Sequence, residues 1–294
     1  MFGGSIMYKI VTMDNKVFAS EKFKKDKYLF NILMKKIADS NALIMSDEES
    51  YVITNESPDT APWIWTKDNF DKSKLPEIKE LISKYLVKND MVFTCKRELY
   101  DMLVDDNFDL ISTAEPFELG FMKCDQLVAP KENDGWIDRV KPEEKDIIFK
   151  FVLSFENSMD DSVTSYSSKS AEEINKECLE TTEREMTNDK FYVLRNKDGK
   201  IVSMAHYILS DDKTAKVGLV YTPLEERGKG YAAKLVHSLT KMVLDKGYVP
   251  ILYTDKSYPS SNKAYANIGY VNCGTLVSFN CSKEKKIDKN STIK

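Results

Sequence analysis

Residues 216–236, Lys-Val-Gly-Leu-Val-Tyr-Thr-Pro-Leu-Glu-Glu-Arg-Gly-Lys-Gly-Tyr-Ala-Ala-Lys-Leu-Val, constrain the fold of this chain more than any other stretch. An apolar, β-branched run over 217–221 stops at Thr222-Pro223, glycines follow at Gly228 and Gly230, and a helical pattern starts at once. The spacing predicts strand, loop, helix. Tyr231, Leu235, Leu239, Met242 and Val243 share one helical stripe, Lys234, His237, Lys241 and Asp245 lie off it, and Gly247 is the expected stop. The first-turn N–H groups of such a helix lack intrahelical partners and carry the positive end of its dipole, so they suit a phosphate. Gly228 and Gly230 have no Cβ and let the backbone turn tightly and approach such a ligand, while Arg227 and Lys229 add charge. A basic loop ahead of a surface helix would use the same residues.

Two nucleotide-binding templates overlap here. Gly228, Gly230 and Ala233 fit Gly-x-Gly-x-x-Ala, the dinucleotide fingerprint, but in that fold the strand feeds almost directly into the first glycine, and here residues 222–227 intervene. Arg227-x-x-Gly230-x-Ala232, preceded by Val-Tyr-Thr-Pro, instead resembles the pyrophosphate-binding motif of the GNAT superfamily of acetyl-CoA-dependent N-acyltransferases. Downstream, Ile251-Leu252-Tyr253-Thr254-Asp255 reads as the next strand, and Ser260-Ser261-Asn262-Lys263-Ala264-Tyr265-Ala266-Asn267-Ile268-Gly269-Tyr270 resembles that superfamily's following helix with its Ile-Gly-Tyr ending. The motifs stand in the superfamily's order, and the resemblance covers roughly 191–275.

A chain of 294 residues is long enough for two domains. A formal net charge of −4 argues against a general nucleic-acid binder, which would present a basic face. No apolar run is long enough to span a bilayer and the start lacks the pattern of a signal peptide, so the expectation is a cytoplasmic protein without a membrane partner. The five cysteines, Cys95, Cys124, Cys178, Cys273 and Cys281, are odd in number and scattered, which suits free thiols. Only His206 and His237 are histidines, neither with ligand-spaced neighbours, so no metal site is expected. Composition leaves the oligomeric state open.

In chain order, 7–19 alternates loosely and suggests a strand, and 23–38 carries Tyr28, Leu29, Ile32, Leu33 and Ile37 at helical spacing. Apolar runs at 42–45, 51–54 and 62–66, separated by turn residues, read as antiparallel strands. A helix over 76–88 starts with Pro76 and buries Ile78, Leu81, Ile82, Tyr85 and Leu86. Residues 91–95 read as a strand, 97–104 as a helix and 119–128 as the last strand of a first domain. Residues 129–138, with Pro130 and Gly135 among polar neighbours, are the candidate linker. Then come a helix over 142–155, a Ser/Asp-rich loop over 157–170 and a polar helix over 171–186. Strands at 191–194 and 201–209 flank Asn196-Lys197-Asp198-Gly199, a hairpin signal. Three consecutive antiparallel strands thus lead into the glycine loop, unlike a dinucleotide fold, and 275–280 supplies a last strand before a polar tail.

The resemblance implies an α/β fold of the α+β type, with two GNAT-like domains, each a mixed, mainly antiparallel sheet flanked by helices. The expected division is 1–128, the linker 129–138, an acetyltransferase domain 139–282 and a tail 283–294. The first half shares the element order but has Lys72-Ser73-Lys74-Leu75-Pro76-Glu77 where the glycine loop would fall, which implies a diverged domain without a pyrophosphate site.

For function the resemblance implies transfer of an acetyl group from acetyl-CoA to a primary amine of a small molecule or peptide, directly within a ternary complex. A non-catalytic acyl-CoA sensor is the alternative. Leu219, Val220 and Tyr221 would bind the pantetheine arm through main-chain groups, and Arg227, Gly228, Lys229, Gly230, Tyr231 and Ala232 would hold the pyrophosphate. Asn262 would contact the coenzyme, although Ser260, Ser261 and Asn262 all favour helix starts. Tyr265 would protonate the departing thiolate, which a phenol of ordinary pKa near 10 can do at neutral pH. No general base declares itself: His206 on its strand reads more readily as structural, Glu172, Glu173 and Glu177 as solvated helix charges, and Cys273 as inert. Residues 156–189 hold ten acidic residues against three basic ones, a pattern of a solvated face or of a cleft that attracts a cationic amine.

Overall fold

The computed structural model describes residues 9–38, 42–55, 61–86, 91–112, 115–158 and 170–283. Two compact units emerge, Met1–Glu118 with Thr275–Lys294, and Leu119–Gly274. The chain therefore does not divide at 129–138.

In the first unit, β1 (Lys9–Ile10) is followed by three short helices, α1 (Lys16–Ala19), α2 (Glu21–Asp26) and α3 (Asn31–Ile37). The strand expected over 7–19 is thus mostly helix, and the helix expected over 23–38 is broken. At the break Phe30 is fully buried, and Asp26 turns inward to accept the Trp65 indole N–H at 2.9 Å and to pair with Lys96. Lys96 also meets Asp68 at 2.8 Å; a buried charge is tolerable only when paired in this way. Strands β2 (Leu43–Ser46), β3 (Tyr51–Asn55) and β4 (Trp63–Thr66) run antiparallel in sequence. Helix α4 (Leu75–Leu81), with Pro76 in its first turn and Leu75, Ile78 and Leu81 buried, carries the chain over to β5 (Met91–Lys96), which is parallel to β4. Past Leu81 the helical course continues with π turns over Ile82–Leu86, and residues 87–88 of the expected 76–88 helix lie outside the described residues. The 72–77 segment is a 3₁₀ turn running into α4. There Lys74 lies 2.6 Å from Asp47: burial alone would raise that carboxyl, but Lys74, the Ser50 hydroxyl and backbone N–H groups bring it to about 2.

Helix α5 (Arg97–Asp105) follows, and then comes the main departure from the expected division. Strand β6 (Phe117–Cys124), expected to finish the first domain, pairs through Leu119–Lys123 with β11 (Val249–Asp255) of the second unit. The first sheet is finished instead by the far end of the chain, where Leu276–Cys281 of β12 (Tyr270–Cys281) runs antiparallel to β5. Periodicity shows that each stretch is a strand but cannot say which sheet it enters.

The second unit orders its strands β6-β11-β10-β9-β8-β7, with β7 (Trp136–Asp138), β8 (Phe191–Arg195), β9 (Ile201–Leu209) and β10 (Thr214–Tyr221). Helices α6 (Lys145–Glu156) and α7 (Ala171–Thr187) precede β8, α8 (Tyr231–Asp245) crosses from β10 to the parallel β11, and α9 (Pro259–Asn267) follows β11. The expected linker is part of this unit, for Trp136–Asp138 pairs with β8. Arg195, almost wholly buried, clamps that edge by donating to Asp138 at 2.7 Å, to both Glu144 oxygens at 2.7 and 2.9 Å and to the Arg139 carbonyl at 3.1 Å. Strand alternation gives the sheet two apolar faces: Phe191, Val193 and Met204 pack with Ile148, Val152 and Cys178, whereas Ala205, Tyr207, Ala215 and Val217 pack with Leu235, Leu239 and Val243. Both units thus repeat one order: a first strand, helices, three antiparallel strands, a helix, a strand parallel to the third, a helix, and a closing antiparallel strand from the other half of the sequence. Most of the expected Ser/Asp-rich loop, residues 159–169, and the expected tail from 284 lie outside the described residues.

Phe279 is fully buried, stacked on Phe93 at 5.9 Å and against Tyr100 at 5.1 Å. Phe279→Ala is expected to cost the first unit about 3–5 kcal/mol, as truncation of a fully buried aromatic does. Denaturant unfolding with amide exchange in 91–96 as the local probe checks this; protection there equal to that of the unaltered chain would contradict the placement of β12.

Candidate active site

The site begins with one extra residue in β10. Gly218 stands opposite His206, but the next paired position is Tyr221 opposite Met204, so the strand bulges between them. Leu219, with φ of 50°, takes the left-handed conformation that the bulge requires. Pairing of β10 with β11 ends at Lys216 opposite Ile251, although β10 continues to Tyr221 and β11 to Asp255. Main-chain groups of 217–221 on that side are therefore free of the β11 ladder. The Tyr221 side chain packs against Phe151 of α6, while Val220 turns to the α8 face.

Hydrogen bonds hold the loop that follows. Ser203 donates to the Tyr221 carbonyl at 3.0 Å, and Thr222 donates to Ser203 at 3.0 Å. Arg227 Nε returns to the Thr222 carbonyl at 3.0 Å. Glu226 is buried and accepts from Lys229 at 2.7 Å and Lys200 at 3.0 Å, which hold its carboxyl below the usual range. Gly228 and Gly230 then take φ of 79° and 80°, a region that costs an L side chain roughly 1–2 kcal/mol. Gly230 caps α8 without any side-chain hydrogen bond, so the helix opens on bare first-turn N–H groups.

Residues Tyr231 and Ala232 follow at that opening, with Ala232 half-buried. The Tyr231 hydroxyl donates to Asp134 at 2.9 Å, and burial together with that carboxylate pushes its phenol up. Lys234 donates to the Asn133 carbonyl at 3.0 Å. The 133–134 segment, read from sequence as linker, thus packs on the glycine loop, and only tertiary structure reveals it.

Asn262 donates to the carbonyls of Asp255 and Tyr258, each at 2.9 Å, so its amide closes the turn between β11 and α9. Tyr265 is buried in the core under α8, edge-on to Tyr270 at 6.3 Å, and burial pushes its phenol up to about 12. Glu173 is spent on the start of α7, accepting from Ser170 N–H at 2.7 Å. Cys273 is exposed, and all five cysteines are free thiols. On the α7 face the structure adds a contact that spacing does not reveal: His206 Nδ1 lies 2.8 Å from Glu185 Oε2, both buried.

This geometry is that of a known domain. Residues 162–283 match the family model described as an acetyltransferase (GNAT) domain. No curated protein matches the chain. Among solved structures it is similar to a GCN5-related N-acetyltransferase from Sphaerobacter thermophilus, with a TM-score of 0.62 at 14% identity over 97% of this chain and 98% of that one. It is also similar to a GNAT-family acetyltransferase from Colwellia psychrerythraea, with a TM-score of 0.54 at 13% identity over 93% and 99%. A third likeness is to a GCN5-related N-acetyltransferase from Kribbella flavida, with a TM-score of 0.51 at 15% identity over 80% and 88%. At these identities the likeness is one of fold, and in the first two it spans both units. The matched region, 162–283, is thus an acetyltransferase (GNAT) domain by sequence, and it runs past Gly274 into the strand that finishes the first unit.

Proposed function

We propose that the protein moves an acetyl group from acetyl-CoA to a primary amine, directly within a ternary complex. The observation that carries this reading is the uncapped start of α8, entered through two left-handed glycines, beside a β10 that leaves β11 after Lys216. Bare N–H groups of Tyr231 and Ala232, with those of Gly228 to Gly230, would hold a pyrophosphate against the helix dipole. Arg227 and Lys229 add positive charge; Lys229 keeps half its side chain exposed beside Glu226. The released main chain of Leu219, Val220 and Tyr221 would pair with the amide-bearing pantetheine arm as a further strand would. Asn262, its amide already committed, would offer its carbonyl oxygen. The first unit has Lys74 tied to Asp47 where the loop would fall, and takes no coenzyme in this reading.

In the reaction Tyr265 would give its proton to the leaving thiolate. Burial keeps this phenol protonated across the physiological range, which suits a donor and not a base. Binding and orientation supply most of the remaining acceleration, with no covalent intermediate on the chain.

The acceptor in this reading is a small molecule or peptide with a second positive charge. Within 156–189, Glu185 is turned inward and Glu183 is paired with Lys145 at 2.7 Å, while Glu172 and Glu180 remain exposed on α7 and contribute field.

Calorimetry with acetyl-CoA tests the coenzyme site. Gly230→Asp is expected to abolish binding by adding bulk and like charge where the phosphates would sit, with modest loss of fold stability because Asp tolerates the left-handed region. Unchanged affinity would reject the site. Tyr265→Phe keeps the ring and removes the proton, so turnover should fall by ~10²–10⁴ with little change in coenzyme affinity. Thiol-release assays decide it, and full turnover in the variant would remove Tyr265 from the chemistry. For the acceptor, KM for spermidine should rise with salt, since exposed charges are screened over about 8 Å at physiological ionic strength. A KM indifferent to salt, or preference for uncharged amines, would reject the cationic acceptor.

A further inference from the structure

A pair of buried ionisable side chains lies outside the proposed coenzyme site. Glu185 on α7 is 3% exposed and His206 on β9 is 8% exposed, with Nδ1 2.8 Å from Oε2. Glu185 also accepts from Asn188 at 3.0 Å and from Arg184 at 3.3 Å. Burial works to raise its carboxyl, but the bonds and charges of His206, Asn188 and Arg184 outweigh burial and hold it below the usual range. An anion at Nδ1 keeps the imidazole proton on that nitrogen and leaves Nε2 as the basic one. Among the described residues Nε2 has no hydrogen-bond partner.

The position of that nitrogen is specific. Gly218 is paired with His206, and a Cβ on Gly218 would stand 3.1 Å from Nε2. The ring thus lies directly over the bare Cα of residue 218, where a side chain would press on it. Leu219, the next residue, is the left-handed residue of the bulge, and β10 has already left β11. Nε2 sits on the α7 face at the place where the strands part, whereas Tyr265 lies in the core on the α8 face. Two groups able to handle protons therefore lie on opposite faces of this sheet.

We propose that His206, oriented by Glu185, takes the proton from the acceptor amine. This rests on the acetyl-transfer reading. An ammonium group gives one proton to Nε2, the freed nitrogen lone pair bonds to the thioester carbonyl carbon, and the C–S bond breaks. The departing thiolate takes the Tyr265 proton, and the phenolate takes the second, excess proton from the new amide nitrogen, so that the products are a neutral amide, a thiol and a restored phenol. The imidazolium is stabilised by the Glu185 carboxylate on its other side, as in other base-and-orienter pairs. Among the described residues, the charged groups at the pair are Glu185 and, on its other oxygen, Arg184 of α7; on β10 Gly218 stands opposite the ring with Lys216 two positions before it on the same face, and β8 presents Phe191.

The test uses the full chain with acetyl-CoA, following thiol release across pH 6–10 with spermidine as the probe amine, or with water as acceptor where spermidine is not turned over. His206→Asn keeps a donor for Glu185 and removes the base, so kcat should fall by ~10²–10³ while acetyl-CoA affinity by calorimetry stays within about twofold. Glu185→Gln should lower kcat roughly tenfold and move the acidic limb of the kcat profile to lower pH, because imidazolium loses its counter-charge. A purely structural pair would change melting temperature without moving that limb. Gly218→Ala leaves the pair intact and crowds only Nε2, so a loss of tenfold or more is expected there even if the other two variants fold poorly. His206→Asn with native melting and full turnover, or Gly218→Ala with full turnover, overturns the proposal and leaves the coenzyme site standing. Absence of acetyl-CoA binding by the unaltered chain overturns both.

Discussion

One extra residue in β10 is the constraint on which the site depends. A regular strand would carry its ladder with β11 to the end and bury every main-chain group in sheet hydrogen bonds. The bulge at Gly218 to Tyr221 redirects the strand, and its parting from β11 leaves a row of polar groups without sheet partners. The same redirection delivers the chain to the glycine loop and α8. Leu219 supplies the unusual φ without being glycine, so the strain of a left-handed leucine is held by the apolar packing around it.

Several buried charges among the described residues are matched in sets. Arg195 with Asp138 and Glu144, Lys96 with Asp26 and Asp68, and Glu226 with Lys200 and Lys229 each join segments far apart in sequence. Removing one member of such a set leaves the other buried and uncompensated, which costs more than the intact pair gains. These clusters therefore act as locks on relative position: the Arg195 set fixes the β7 edge, and the Glu226 set fixes the floor of the glycine loop.

What could be read from sequence was what depends on neighbours along the chain. The α8 stripe, the turn at Gly199, the free thiols and the order strand, loop, helix around Gly230 are all local, and their structural counterparts lie within a few residues of the expected ones. The fold class followed from that order. Legibility ended where partners are distant. Residues 119–124 and 276–281 each read as strands, but their sheets depend on edges more than a hundred residues away. Asn133 and Asp134 have the composition of a linker and pack on the glycine loop, and Glu185 has the look of one more solvated acid on an acidic helix. Helical period places Glu185 on a face of α7 but not against His206, since that contact depends on how α7 lies on β9.

The closing strand of the first sheet has a consequence in time. Thr94 and Ser278, hydrogen-bonded side by side, are 184 residues apart in sequence. During synthesis residues 91–96 emerge well before their partner, so the edge of β5 has no mate until residues 276–281 have been made. The second sheet has no such wait, because residues 119–123 precede the strand they join. Sequential domain-by-domain folding from the amino terminus is therefore closed to this chain. The first unit must remain unfinished, with an exposed strand edge of the kind that pairs with other chains, until residues 276–281 arrive to cover it.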